Sequence, residues 1–275
     1  MDLSVQFSMT KLPFYAVSVK DGRKTMELQA FDGVLTVSTV YDAKRQPLEM
    51  NAEVREGDRI TVILYRHRVE LYVNGVLVDE EWPMGERLLA LGDAFITETE
   101  ITVAEHRQTE EIPPCVVGTF ENAEGWMPGN GVFVGDCMPY LRDGEYHVLY
   151  LKDRHHHRSK WGMGAHQWEH ISTKDFKTWS IHPMAVPITE PREGSICTGS
   201  WIRRGDREYL YYTVRRSGMP ALIGRSVSTD GYHFEKDTSF GFTISAKYDA
   251  PSARDPKVIL GEDGRYHMFL TTSLE

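Results

Sequence analysis

Two aspartates about 120 residues apart are set in matching surroundings. Gly135-Asp136-Cys137-Met138-Pro139-Tyr140 and Arg254-Asp255-Pro256-Lys257-Val258 each lead into a DG turn and then an aromatic strand. Carboxylates brought together from distant segments suit cleavage of a glycosidic bond. One carboxylate meets the anomeric carbon, a carboxylic acid protonates the departing oxygen, and further carboxylates stabilise the oxocarbenium-like charge. Taken singly, each residue also has a plainer reading, Asp136 as a strand-end turn cap and Asp255 as the ion-pair partner of Arg254.

The segments that must position them repeat. Asp143-Gly144-Glu145-Tyr146-His147-Val148-Leu149-Tyr150 returns as Asp263-Gly264-Arg265-Tyr266-His267-Met268-Phe269-Leu270, with Glu208-Tyr209-Leu210-Tyr211-Tyr212 between them. Tyr146, Tyr209 and Tyr266 are thus roughly 60 residues apart. Ser172-Thr173-Lys174-Asp175-Phe176-Lys177-Thr178-Trp179 likewise returns as Ser228-Thr229-Asp230-Gly231-Tyr232-His233-Phe234. Self-similar units of short strands and turns that bury their faces only against neighbours predict propeller blades. The inner strands of a propeller end at one mouth of its axis, where aspartates from separate blades can converge.

Residues 1–112 have a different texture. Alternating runs such as Val69-Glu70-Leu71-Tyr72-Val73, with turns at Asp21-Gly22, Asp32-Gly33, Glu56-Gly57-Asp58 and Asn74-Gly75, predict an antiparallel β-sandwich. A linker through Glu110-Glu111-Ile112-Pro113-Pro114 then opens a second domain, 113–275. The expected fold is all-β, an N-terminal β-sandwich followed by about three blades of a five-bladed β-propeller. The sandwich either binds glycan or buttresses its neighbour.

Composition narrows the function classes. A formal charge of −9 argues against nucleic acid as a partner, and the basic group Arg154-His155-His156-His157-Arg158-Ser159-Lys160 reads as a solvated loop or as a rim touching polar substrate. No apolar stretch approaches 18 residues, so no membrane helix is expected. Cys115, Cys137 and Cys197 lack CxxC spacing and read as free thiols. Together with a start that lacks signal-peptide character, they point to a cytoplasmic setting, with a processed secreted form left open.

The ordered series Gly135-Asp136-Cys137-Met138-Pro139, Asp143 to Tyr150, Trp168-Glu169-His170-Ile171-Ser172-Thr173-Lys174-Asp175, Cys197-Thr198-Gly199-Ser200 and Ala253-Arg254-Asp255-Pro256-Lys257-Val258 resembles that of family 32 glycoside hydrolases, five-bladed propeller enzymes acting on β-fructofuranosides. The resemblance spans residues 130–260. It implies a retaining double displacement on a disaccharide or oligosaccharide, with no cofactor. Asp136 takes the place of the nucleophile, and Asp255 that of the transition-state stabiliser alongside Arg254. Trp168 becomes a sugar-stacking face, and Thr198 and Ser200 a hydroxyl-rich motif at the pocket. Asp153, just beyond the strand from Asp136, is a further residue that could face the pocket.

The departures are specific. The family's Asn-Asp-Pro-Asn-Gly stands here as Gly135-Asp136-Cys137-Met138-Pro139, and its glutamine after the next strand is replaced by Leu151-Lys152. This keeps open the arabinose- and xylose-directed enzymes of the related family 43, and a non-catalytic carbohydrate-binding protein. The family's general acid, a glutamate in a Glu-Cys pair, has no counterpart, and Glu193 is a poor substitute. The expectation is therefore a fragment of a longer enzyme, or a chain completed by another, inactive or nearly so alone, with open edges that could support self-association. His166-Gln167-Trp168-Glu169-His170 fits an inverted zinc-protease pattern. Its strand-like surroundings would nevertheless set the two histidines about 13 Å apart. The triple histidine His155-His156-His157 lacks ligand partners at metal spacing.

Overall fold

The computed structural model describes residues 2–39, 48–65, 68–81, 91–92, 94–106, 126, 132–154, 166–190, 193–215 and 219–274. The linker at 110–114, Cys115 and residues 155–160 of the basic group lie outside the described residues. So does the expected domain boundary. Among those described the chain is all-β, with a 3-10 turn at Ala250–Ser252 and no helix long and apolar enough to cross a membrane. Two compact units result, one holding residues 2–106 and Glu190, the other the remaining described residues from 126 on.

The first unit has strands β1 (Asp2–Ser8), β2 (Phe14–Lys20), β3 (Arg23–Phe31), β4 (Val34–Thr39), β5 (Leu48–Glu53), β6 (Arg59–Leu64), β7 (Val69–Val73), β8 (Val76–Glu81), β9 (Phe95–Ile96) and β10 (Thr102–His106). They form two antiparallel sheets, ordered β10-β1-β6-β7-β8 and β5-β4-β3-β2-β9. The period-two pattern places alternate residues inward. Val5, Ile60, Val62 and Leu71 of one sheet meet Met26, Leu28, Leu35 and Val37 of the other in a single core. Asn74 and Gly75 turn between β7 and β8 with φ of 53° and 82°, the left-handed pair that a two-residue hairpin demands.

The second unit has β11 (Val132–Arg142), β12 (Glu145–Arg154), β13 (Gln167–Thr173), β14 (Ser180–Ile181), β15 (Ser195–Arg204), β16 (Arg207–Arg215), β17 (Leu222–Ser228), β18 (Glu235–Lys236), β19 (Arg254–Leu260) and β20 (Tyr266–Thr271). Strands β11 to β14 and β15 to β18 form two four-stranded antiparallel blades, and β19 pairs with β20 in a third, two-stranded sheet. The aromatic repeats occupy β12, β16 and β20, the second strand of each sheet. The Ser-Thr repeats end β13 and β17, and here the shared aspartate has a structural task. Asp175 Oδ1 accepts the N–H groups of Lys177 and Thr178 at 2.8 and 2.7 Å, and Asp230 Oδ1 accepts those of Tyr232 and His233, both at 2.8 Å. Each carboxylate thus closes the turn that leads to the outermost strand.

Arg142 at the end of β11 joins the first blade to the second. It donates to Glu208 Oε1 at 2.6 Å and to the Asp230 carbonyl at 2.7 Å, while Trp201 Nε1 donates to Glu208 Oε2 at 2.7 Å. Both oxygens of the buried Glu208 are therefore satisfied. Tyr140 stacks on Trp201 with ring centres 4.4 Å apart.

Inside the first blade, His147, His170 and His182 are buried together against Tyr232. Burial lowers all three imidazoles: His147 below its ordinary range, His170 well below it, and His182 to about 4. The unfolded chain, with histidines near 6.5, therefore binds more protons than the fold between pH 6.5 and about 4. The stability these neutral rings confer is present above pH 6.5 and lost as pH falls through that interval. Urea midpoints followed by tryptophan fluorescence should decline as pH falls from 6.5 to 5. Each such histidine contributes a slope of up to about 1.4 kcal/mol per pH unit. A midpoint unchanged across that range would contradict burial of the cluster.

Candidate active site

The inner strands β11, β15 and β19 each carry a bulge at the same place. In β11, Gly135 and Asp136 together oppose Leu151, between the pairs Val134 with Lys152 and Cys137 with Tyr150. In β15, Thr198 is the extra residue between the pairs Cys197 with Thr213 and Gly199 with Tyr212. In β19, Asp255 and Pro256 oppose Leu270 between the pairs Arg254 with Thr271 and Lys257 with Phe269. A bulge bends its strand and re-aims one side chain. These three re-aim Asp136, Thr198 and Asp255. Glycine makes two of the bends feasible, since a Cβ on Gly199 would lie 1.8 Å from the Tyr211 carbonyl oxygen and one on Gly135 2.9 Å from Leu151 Cβ.

Strand β15 packs between β11 and β19, and its bulge meets the first aspartate. Thr198 Oγ1 donates to Asp136 Oδ2 at 2.6 Å, a charge-assisted bond that orients the carboxylate. Asp255 sits at φ 57°, in the left-handed region that aspartate tolerates better than most residues. Its Oδ2 lies 3.5 Å from Arg254 Nε, and Arg254 Nη1 donates to the Ser252 carbonyl at 3.0 Å. Burial raises the Asp255 carboxyl above the ordinary range. The Asp136 charge adds to that rise, while Arg254 and Arg215 oppose it. The two aspartates therefore feel each other. A cavity of about 410 Å3 runs past Cys137, Thr198, Trp201 and Lys257. Among the described residues, a cleft of about 490 Å3 on the sandwich has Glu100 as its one lining carboxylate.

The structure thus brings Asp136, Asp255, Arg254 and Thr198 together. Two other residues expected at the pocket are placed differently, and Ser200 lines the cavity with its hydroxyl already engaged. Trp168 is fully buried; its indole N–H donates to the Cys197 carbonyl at 3.1 Å and its ring packs edge-on against Tyr212, leaving no face for a sugar. Ser200 is buried between β15 and β19 with its hydroxyl engaged on backbone groups. Asp153 is 1% exposed and pairs with His166 Nε2 at 3.2 Å. Burial opposes charge on that imidazole, but hydrogen bonds with Asp153 and Cys197 outweigh it and push His166 up to about 9. Asp153 is one half of a buried ion pair. Glu193 holds Thr189 and Lys236 and has a loop role. Arg215, at the end of β16, acts on Asp255 and was missed; its only sequence signal is a basic pair, Arg215-Arg216, closing an aromatic strand.

His147, His170 and His182 place three ring nitrogens within 4.8 Å of one another, a set that could hold a metal ion. The fit is poor. His147 Nδ1 and His170 Nε2 are hydrogen-bonded to each other at 2.8 Å. Ligation through both would put protons on His147 Nε2 and His170 Nδ1, buried atoms without partners. The segment 166–170 of the zinc-protease pattern runs into strand β13, as its composition predicts.

Two aspartates on the first strands of separate sheets, one of which feels the charge of the other, are what this fold assembles. The family described as glycosyl hydrolases family 32, N-terminal domain, matches residues 132–275, and the chain belongs to that family. Among solved structures it is similar to a sucrose-6-phosphate hydrolase from Lactobacillus gasseri, at 18% identity and TM-score 0.44, covering 51% of this chain and 29% of that one. A fructofuranosidase variant from Schwanniomyces occidentalis complexed with fructosylnystose gives 20%, 0.42, 61% and 33% on the same measures. For a family 43 beta-xylosidase/alpha-arabinofuranosidase from a compost microbial metagenome they are 16%, 0.39, 50% and 42%. The chain thus spans less than half the length of each. No curated protein matches the sequence.

Replacing Asp136 with Asn removes the like charge facing Asp255, so the Asp255 carboxyl should titrate lower, nearer the ordinary aspartate range. Carboxyl 13C NMR, with the signal assigned through Asp255→Asn, checks this. An Asp255 midpoint that ignores the substitution would mean that the two groups do not share a site.

Proposed function

We propose that this chain carries the nucleophilic part of a retaining glycoside hydrolase acting on β-fructofuranosides of the sucrose or fructan type. The observation that supports it most is the Thr198–Asp136 hydrogen bond. It fixes one carboxylate oxygen and leaves the other for the sugar, on a bulge that adjoins a second carboxylate. Asp136 attacks the anomeric carbon of the fructosyl unit, the bond to the leaving oxygen breaks, and a fructosyl ester forms. Water then cleaves that ester and restores the carboxylate, so the configuration is retained. Asp255, ionised and steadied by Arg254 and Arg215, accepts hydrogen bonds from sugar hydroxyls and offsets positive charge on the ring. Thr198 is a positioning residue for the nucleophile.

The proton for the leaving oxygen comes from a carboxylic acid that has no motif match in this sequence. Leaving-group protonation contributes about 10²- to 10⁴-fold, and a substrate whose leaving group needs no proton escapes that penalty. The 275-residue chain should therefore release nitrophenolate from p-nitrophenyl β-fructofuranoside while cleaving sucrose slower by about that factor. Asp136→Asn should abolish the nitrophenolate signal with the fold intact by circular dichroism. Release that survives Asp136→Asn would remove this residue from the nucleophile's role. Turnover of an aryl arabinofuranoside in place of the fructoside would move the substrate class to the related furanosides.

A further inference from the structure

Ser200 presents an unusual arrangement. Its hydroxyl donates to the Pro256 carbonyl at 2.7 Å and accepts the Val258 N–H at 3.1 Å, so a single oxygen spans two backbone groups of β19. In an extended strand the carbonyl of one residue and the N–H two residues on point to the same edge. Here that edge faces away from β20, whose pairing uses Lys257 opposite Phe269. The serine side chain therefore stands in for a missing neighbouring strand, at the point where the bulge carrying Asp255 ends. At 3% exposure it has no solvent to compete for either bond.

Two residues earlier on β15, Thr198 holds the Asp136 carboxylate of β11. One short stretch, Thr198-Gly199-Ser200, thus reaches the nucleophile's strand on one side and the stabiliser's strand on the other. Gly199 admits no side chain without collision with the Tyr211 carbonyl, so the stretch is closely seated on its own blade.

We propose that Ser200 is a positioning residue that pins the β19 bulge to β15 and thereby sets the placement of Asp255 relative to Asp136. The consequence for catalysis rests on the reading of these two aspartates as stabiliser and nucleophile; the consequence for placement does not. A serine that merely glues two strands would, on removal, lower stability and leave the carboxylate where it is. A positioning serine moves it. Without the clamp the left-handed turn at Asp255 relaxes, and the carboxyl leaves both its burial and the Asp136 charge.

The test compares Ser200→Ala, Ser200→Thr and Ser226→Ala in the whole chain. Ser226 is another fully buried serine, whose hydroxyl donates to Tyr212 Oη at 3.3 Å, and it serves as the control for simple loss of a core hydrogen bond. Two readouts are taken: the carboxyl 13C titration of Asp255, and kcat and KM with the aryl fructofuranoside. In Ser200→Ala the Asp255 midpoint should fall toward the ordinary range and kcat should drop on the order of 10²-fold with KM little changed. Ser200→Thr, which keeps the hydroxyl, should restore both, and Ser226→Ala should alter neither. If Ser200→Ala does not fold, Ser200→Cys, whose thiol bonds are longer and weaker, is read by the same two signals, with smaller shifts expected.

Titration and kcat in the Ser200 variant matching those of Ser226→Ala would overturn the proposal. A shifted Asp255 midpoint in a chain that turns over no fructoside would leave the positioning role standing and sink the substrate reading. Normal turnover with an unshifted midpoint would do the reverse.

Discussion

The hydrogen bond from Thr198 to Asp136 is the constraint on which the site depends, because it joins two blades at a carboxylate that has another carboxylate for a neighbour. Burial and the Asp136 charge both disfavour ionised Asp255, while the Thr198 hydroxyl holds the Asp136 carboxylate through a bond to a charged acceptor, a kind that contributes about 1.5–3 kcal/mol net. Arg254 and Arg215 favour ionised Asp255, and interlocks between the sheets keep the strands from separating.

Those interlocks differ between the two junctions. Between the first and second sheets, Arg142, Glu208 and Trp201 form a buried charged network in which both glutamate oxygens are used and the guanidinium also rests over Tyr232. Removing one partner from such a network costs about 3–5 kcal/mol, because the other charge is left buried alone. Between the second and third sheets β15 packs directly on β19, a serine hydroxyl bridges two backbone groups of β19, and the Arg204 guanidinium rests over Tyr266. The first junction thus carries a buried charged network, and the second a neutral bridge beside Asp255.

Much of this was legible in the residues. The Asn74-Gly75 hairpin and the aromatic second strands follow from local backbone preferences and period-two burial, which a sequence displays directly. The two chemically suggestive aspartates were legible because each precedes a recognisable turn and strand. Trp168 and Asp153 were misread for a common reason. A side chain's exposure depends on which strands flank it, and a motif does not encode that. The bulges were hidden too, since they are properties of register between two strands. Only Gly135 and Gly199 hint at them, as glycines inside strands often do.

Register also gives the Arg-Asp-Pro segment a physical rationale. Where β19 bulges, one residue must adopt φ 57°, and aspartate enters that region at lower cost than a β-branched or bulky side chain. Its neighbour is left opposite Leu270 without a ladder partner. An ordinary residue would leave an unpaired N–H there, and Pro256 has none to lose. The residue before the bulge is still paired with Thr271, so Arg254 is held on a regular strand while its guanidinium reaches the neighbouring carboxylate. The three residue types therefore answer three separate demands of one distortion: a fixed cation, a carboxylate that accepts the left-handed turn, and a backbone that does not miss a hydrogen bond.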